Sequence, residues 1–407
     1  MPQPYAIKPR AGAKRPRWTG MYYRDGRALS AGTYDTKDEA LAAAHAAQSK
    51  VRAGTWTDPT GGKITFRAYA ESWAEVQEWA PTTREGNLSR LNRWVLPEFG
   101  DVTLKNLTYE RLVDGFSRIA RAESTRTGER LAPKTVNECK VLVTQVLDEA
   151  VRAGRLALHP ARSVKRAAVV RDDLDALTPE QIGSLLAAVP PEEAPLVELA
   201  LETGARWGEL SGLQVKHLQG ARLRIAQTVA TITKEKAAKH LDEMPAKQRA
   251  AQPWPGSQFI LQAYAKSKRR RTIGLSPLAV ALLATRIDAL GLGPDDYFFL
   301  NTRGVPLDRG AWRSRVWRPA VEKAGLEDLP RVWFHDLRAA HASWLLAGSP
   351  GDPELGLDPV PGANPDDVMR RLGWTQYQTL QRYSRALPDA DERLLAAFSA
   401  VRDRVAN

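Results

Sequence analysis

The sequence of 407 residues contains one cysteine, Cys139. No intrachain disulfide framework and no cysteine-rich zinc site can be built from it, and such sparse use fits a reducing cytoplasm. Long apolar runs are missing as well: none reaches the roughly 18 residues that suggest a membrane span. The N-terminus, MPQPYAIKPRAGAKRPRW, is basic but lacks the apolar stretch of a secretion signal. Acidic residues are in deficit, with 47 Asp and Glu against 59 Lys and Arg and a formal net charge of +12. That balance excludes a disordered acidic chain. It also argues against a purely small-molecule enzyme, because a large positive field attracts polyanions. No internal repeat is evident.

What the chain does have is 43% hydrophobic residues, enough for one sizeable core or several. At about 150 residues per domain, its length suggests two to three domains. Residues 1–60 read as a small unit. Lys14, Arg15 and Arg17 belong to a basic arm, Trp18 to Tyr23 suits a strand, Asp25-Gly26 signals a hairpin turn, and Ala28 to Tyr34 returns. Thr36 and Glu39 have capping-box spacing ahead of an alanine-rich helix that stops near Gly54. A groove-binding module and a generic α+β domain with a solvated tail both fit. Thr57 to Lys63 (TDPTGGK) is a linker by composition.

Residues 64–168 have helical periodicity. Leu88, Leu91 and Trp94 share one stripe, and Val136, Val143, Val146 and Leu147 share another, which suggests a four- or five-helix domain. Its polar faces carry Arg84 and Lys134, which are either DNA contacts or solvated charges. A basic linker with Pro160 follows. Residues 176–407 form the remaining domain. It opens on the capping sequence TPEQ at Thr178 and is mostly helical, with strand candidates at Leu223 to Val229 and Arg271 to Leu275.

Four segments of this last domain can carry chemistry. In TGARWGEL, Gly204 ends a helix and Arg206 follows, one turn before Glu209. The two are a surface pair worth roughly 0–1 kcal/mol, or an anion-binding arginine held by a carboxylate. In KSKRRRTI, Lys266, Lys268 and Arg270 lead into a strand; they are phosphate contacts, a solvated loop, or the source of a proton-donating lysine. In HDLRAAH, His335 and Arg338 are separated by one helical turn and can face one anion together. His341, near Trp344 and Leu345, suits the core, and the i, i+6 histidine spacing disfavours zinc. The fourth segment is LGW at Trp374, with Tyr383 nine residues on. Asn364 caps the short helix before it and Gly373 closes that helix. Two arginines, a lysine and a histidine without a carboxylate triad would make a dense positive cluster. Such a cluster suits a phosphodiester's charged transition state, with a tyrosine hydroxyl as nucleophile.

In this order, TGARWGEL, KSKRRRTIGL, HDLRAAHASWL and LGW-x8-Y resemble the tyrosine recombinases, the phage-type integrases. The resemblance covers the last domain and, more weakly, the helical segment PTTREGNLSRLNRWVLPEFGDVTLKNLT and the N-terminal module. It implies a mainly α fold with small β elements: an arm-type DNA-binding α+β domain over 1–60, a helical core-binding domain over 64–168 and a catalytic domain over 176–407. It also implies the catalytic set Arg206, Lys266, His335, Arg338, Trp374 and Tyr383, with Glu209 in support. Lys268 competes with Lys266, and Lys14, Arg15, Arg17, Arg84, Lys134, Lys268 and Arg270 are DNA-contact candidates. The implied activity is strand transfer at DNA attachment sites through a 3′-phosphotyrosine, without metal, ATP or other cofactor. The implied partners are double-stranded DNA, three further copies in a synaptic tetramer, and a directionality factor or host DNA-bending protein. The implied location is the cytoplasm of a bacterial host, on the nucleoid when DNA is bound. A chromosome-dimer-type resolvase, a type IB topoisomerase and a catalytically silent DNA-binding regulator are the alternatives. Two segments depart from the family pattern: Pro350 to Gly362, a Pro/Gly-rich insertion that suits a surface loop, and the long stretch Lys234 to Gln258.

Overall fold

A computed structural model describes residues 3–8, 17–53, 56, 61–124, 128–169, 176–263, 270–329, 332–349, 351 and 358–384. The chain divides into two compact units, Met1–Val170 and Arg171–Asn407. Among the described residues no helix is long and apolar enough to cross a membrane.

The first unit begins with an antiparallel sheet of Tyr5–Ile7, Trp18–Arg24 and Arg27–Tyr34. Asp25 and Gly26 turn the hairpin with φ of +48° and +76°, which suits the right-handed twist of the paired strands. Helix Lys37–Arg52 is capped by Thr36 and Glu39 in a reciprocal box and lays Ala40, Ala44 and Gln48 on the sheet. The approach is close: a Cβ on Gly20 would stand 2.2 Å from the Ala40 carbonyl oxygen. Buried Gln48 is satisfied by the Tyr23 backbone, accepting from its N–H and donating to its carbonyl.

The rest of this unit is helical, through Phe66–Glu75, Pro81–Arg90, Leu96–Phe99, Tyr109–Arg121 and Pro133–Arg152. The expected helix through Val95 widens into a π-turn at Leu91–Val95 just before Pro97, which has no N–H to continue an α-helical ladder. Phe66, Phe99 and Phe116 meet edge-on inside a core completed by Val136, Val143, Val146 and Leu147. Cys139 lies in that core, and burial pushes its thiol up to about 11, so it acts as a small apolar side chain.

In the second unit, helices surround two small sheets. One sheet joins Leu218–Gln219, Arg222–Ile225 and Arg271–Gly274; the other pairs Thr228–Thr231 with Phe259–Gln262. The single strand expected over Leu223 to Val229 is therefore two strands in different sheets. Leu223, Ile225 and Val229 are all buried and all odd-numbered, so the alternation runs straight through the corner and hides it. Gln227 fixes that corner by donating to the Gly212 carbonyl at 2.7 Å.

The long stretch from Lys234 forms helices Lys234–Glu243 and Ala246–Ala250. The first buries Ala237 and Leu241 against Ile232 and Ile260 in a small core of its own. The insertion beginning at Pro350 falls partly outside the described residues, but mutual Ser349–Val360 backbone bonds of 2.8 and 2.9 Å close its base. The apolar tail after Tyr383 lies outside them.

Candidate active site

The helix Ala194–Thr203 ends at Gly204 in the left-handed conformation, φ +58°. Space demands glycine here too, since a Cβ would lie 2.5 Å from Leu372 Cδ2 and 2.9 Å from His341 Cδ2. The chain then extends through buried Ala205 and presents Arg206 as the residue capping the short helix Trp207–Ser211. Trp207 anchors this corner among Trp312 and Phe334, at centroid distances of 5.0 and 5.1 Å. Phe334 immediately precedes His335, so one aromatic cluster fixes the neighbours of two candidate residues.

Glu209 is 1% exposed and turned toward Arg206. Its carboxylate accepts from the Arg206 backbone N–H at 2.9 Å and from Arg206 Nη1 at 3.1 Å. From the neighbouring strand, Arg271 donates two parallel bonds to it, Nη1 to Oε1 at 3.1 Å and Nη2 to Oε2 at 2.7 Å. Burial pushes the Glu209 carboxyl up. The paired Arg271 and the charge of Arg206 outweigh burial and hold it down, at about 2. The Arg206 side chain keeps 27% of its surface exposed, so the pair is a held cation with an open side, not a loose surface bridge. Arg271 is absent from the residues selected by sequence. It looks like one more member of a basic run, but it shares a strand face with buried Ile273, and that spacing is the signal that marks it.

Arg338 lies on helix Asp336–Ala347 and is 2% exposed. Its guanidinium donates to the carbonyl oxygens of Gly204 and Leu372. It therefore bridges the first candidate segment and the last. Burial lowers its pKa, the Arg206 charge lowers it further, and the value falls to about 9. It remains a cation at neutral pH, and an incoming anion would relieve the repulsion. His335, one turn earlier, is exposed where the helix starts, and its carbonyl accepts from the Arg338 N–H.

Helix Pro365–Leu372 is capped by Asn364 and closed by Gly373 at φ +66°. Trp374 then lies over Arg338, with the guanidinium carbon 5.3 Å from the ring centroid. Tyr383, on helix Tyr377–Ser384, stacks on the other partner of that sandwich, the Trp374 ring, at 5.0 Å and 7°.

The structure thus brings together Arg206, Glu209, Arg338, Trp374 and Tyr383, with His335 one turn from Arg338. Lys266 and Lys268 lie outside the described residues, as do Lys14 and Arg15. Arg17 is exposed and ion-paired with Asp35 at 3.0 Å. Arg84 is half-buried and donates to the Ala74 carbonyl at 3.5 Å. Lys134 is exposed in the first turn of its helix, and Arg270 is exposed beside Arg271. His341, assigned to the core by sequence and buried there, and Arg371, which sequence did not select, are bonded to each other at 3.1 Å. Chemically, the cluster offers fixed cations for an anion and a phenol beside them.

Known proteins share this arrangement of sequence and fold. Residues 175–389, more than half of the chain, match the phage integrase family. Residues 65–114 match the phage integrase N-terminal SAM-like domain. The integrase of Mycobacterium phage L5 is 23% identical over 378 residues, covering 90% of this chain and 89% of that one. Among solved structures, the Tn1549 transposon integrase in complex with transposon right end DNA has a TM-score of 0.61 at 15% identity, covering 83% of this chain and 100% of that one. A lambda integrase tetramer bound to a Holliday junction has a TM-score of 0.52 at 15% identity, covering 94% of each chain.

Proposed function

The chain belongs to the phage integrase family, and on that footing we propose that it is a site-specific tyrosine recombinase that cuts and rejoins DNA attachment sites, integrating or excising a mobile element. The observation that carries the reading is the stack of Tyr383 on Trp374 on Arg338, with Arg206 and its carboxylate clamp alongside. A phenol beside two anchored guanidinia is what attack on a phosphodiester requires.

In the proposed cycle Arg206 and Arg338 take the non-bridging oxygens of the scissile phosphate. The Tyr383 oxygen attacks phosphorus, its proton passing to His335 or water. The bond from phosphorus to the 5′-oxygen breaks, Lys266 supplies the proton to that oxygen, and the 3′-phosphate stays on the tyrosine. Trp374 packs or hydrogen-bonds at the phosphate. The 5′-hydroxyl of a partner strand then attacks the phosphotyrosine and restores a phosphodiester. The bond energy is conserved throughout and the developing charge is met by side-chain cations, so the cycle draws on neither ATP nor a metal.

Residues 1–60 would bind arm-type DNA through Lys14, Arg15 and Arg17, and residues 64–168 core DNA through Arg84 and Lys134, with Lys268 and Arg270 on the backbone beside the catalytic domain of 176–407. Strand exchange between two sites calls for four copies, so the working assembly is a homotetramer, with a directionality factor or DNA-bending protein as a further partner.

Expression beside candidate flanking DNA, with sequencing of the resulting junctions, defines the sites. A nicked duplex spanning a mapped junction then traps the adduct. Wild-type protein is expected to become covalently attached, while Tyr383→Phe binds the duplex and forms no adduct. An adduct surviving in Tyr383→Phe discards the assignment. Plasmid relaxation without joining of two sites would make it a topoisomerase instead.

A further inference from the structure

We propose that Arg371, with His341 as its fixed acceptor, is a positioning residue that registers the four segments of the site against one another; the proposal rests on the recombinase reading above. Arg371 follows buried Val368 by three positions and adjoins buried Leu372, so its side chain leaves the inner face of helix Pro365–Leu372. Its guanidinium makes three bonds: Nε donates to His341 Nε2 at 3.1 Å, Nη2 to the Glu202 carbonyl at 2.9 Å, and Nη1 to the Gly274 carbonyl at 3.2 Å.

The owners of those acceptors matter. Glu202 lies in the last turn of the helix that leads to Arg206. Gly274 ends the strand that begins at Arg271, directly after the lysine-bearing segment. His341 is one turn beyond Arg338 on the same helix. Arg371 itself precedes Trp374 and Tyr383. One planar fork therefore touches the backbone or ring of every segment that contributes to the site, while remaining outside the stack of Arg338, Trp374 and Tyr383. Its anchors are firm: the Glu202 carboxylate accepts from the Ser276 N–H at 2.8 Å and so ties the same residue to the start of helix Pro277–Leu290.

His341 is buried, and it is not a proton carrier. Burial and the adjacent Arg371 push its pKa down to about 3, against the opposing pull of a hydrogen bond with the Leu201 backbone. Arg371 has only donors, so Nε2 accepts and the ring proton sits on Nδ1 toward Leu201. The imidazole is thereby a neutral, doubly held acceptor. Tolerances around it are small, because the missing side chain of Gly204 is the space that His341 and Leu372 occupy.

The test uses full-length protein and a nicked duplex spanning the junction mapped for the wild type. Duplex affinity and the single-turnover rate of covalent attachment at saturating protein are measured separately. Arg371→Met and Arg371→Lys are expected to lose about 10²-fold in attachment rate, the scale of a small misplacement at reacting atoms, while affinity changes by less than about threefold. His341→Gln can still accept from Arg371 and donate to Leu201, and should cleave near the wild-type rate. His341→Leu should lose about tenfold, and joined to Arg371→Met should add little, because the pair acts as one unit.

Wild-type attachment rate in saturated Arg371→Met, or a loss that merely follows affinity, overturns the proposal. So does a His341→Gln variant no better than His341→Leu, a comparison that decides the matter even if Arg371→Met does not fold. Failure of wild-type protein to form any adduct removes the recombinase reading and this proposal together. Wild-type attachment with unaffected variants removes this proposal alone.

Discussion

Two arginine systems lie side by side in the second unit and are held by opposite means. Arg206 and Arg271 share the carboxylate of Glu209. Arg338 and Arg371 donate instead to backbone carbonyls and a neutral imidazole. The first arrangement is a largely buried cluster of two guanidinia on one carboxylate, whose members depend on one another for compensation of charge. The second orients two cations through hydrogen bonds to dipoles, while the charges of Glu209 and Glu202 also favour them. An anion-binding site benefits from both: a clamp that makes burial tolerable on one flank, and oriented charge on the other.

The contrast can be broken at several points. The largest effect is expected at the dipole-held cation. Arg338→Lys retains the charge but cannot present two parallel donors to Gly204 and Leu372, so covalent attachment to nicked DNA should fall by about 10²–10³, the usual effect of losing one oriented oxyanion donor. Near-normal attachment would mean that charge alone suffices. On the carboxylate side, Glu209→Gln leaves Arg271 buried without its counter-charge. Chemical denaturation should show a loss of about 3–5 kcal/mol, whereas a neutral outcome would show that the clamp is dispensable.

Acid sharpens the comparison further. The Glu209 carboxyl is lowered in the folded protein to about 2, so its contribution is complete above its ordinary value near 4.5 and disappears as pH falls toward 2. His341 is lowered from 6.5 to about 3; the folded state keeps it neutral, and stability is lost from pH 6.5 downward. Both groups bind fewer protons folded than unfolded, so melting temperature should decline in two stages on acidification. His341→Gln should shrink the first stage to the part left by His217, whose pKa burial also lowers, and Glu209→Gln should remove the second. A melting temperature that stays level between pH 6.5 and 4.5 would contradict the first. The smallest effect is expected from Trp374→Leu, which deletes the ring between Arg338 and Tyr383. A cation–π contact of about 0.5–2 kcal/mol sets the scale, and the attachment rate should drop about tenfold.

Much of this site was legible in the sequence. Arg206 and Glu209 are three apart at a glycine-terminated helix, and His335 and Arg338 are separated by one turn, so local spacing alone pairs them. The motif order supplied the rest of that set, including Tyr383, which spacing could not distinguish from nine other tyrosines. Arg271 was less visible because its partner, Glu209, is 62 positions away and is reached through strand pairing. Arg371 and His341 were hidden for the same reason. Each sits on a helix face whose period says that it is turned inward, but not which carbonyl it will meet. The split of the expected strand at Gln227 was concealed because alternation continued across the corner. In each case local period survived, and what it could not encode was contact between distant segments.

Arg338, 2% exposed, lies beneath an indole that in turn lies beneath a phenol. A charge so enclosed is aimed by the protein's own carbonyl groups and not by solvent. Its direction is thus set before any anion arrives, which spares the encounter the entropy of ordering a long flexible side chain.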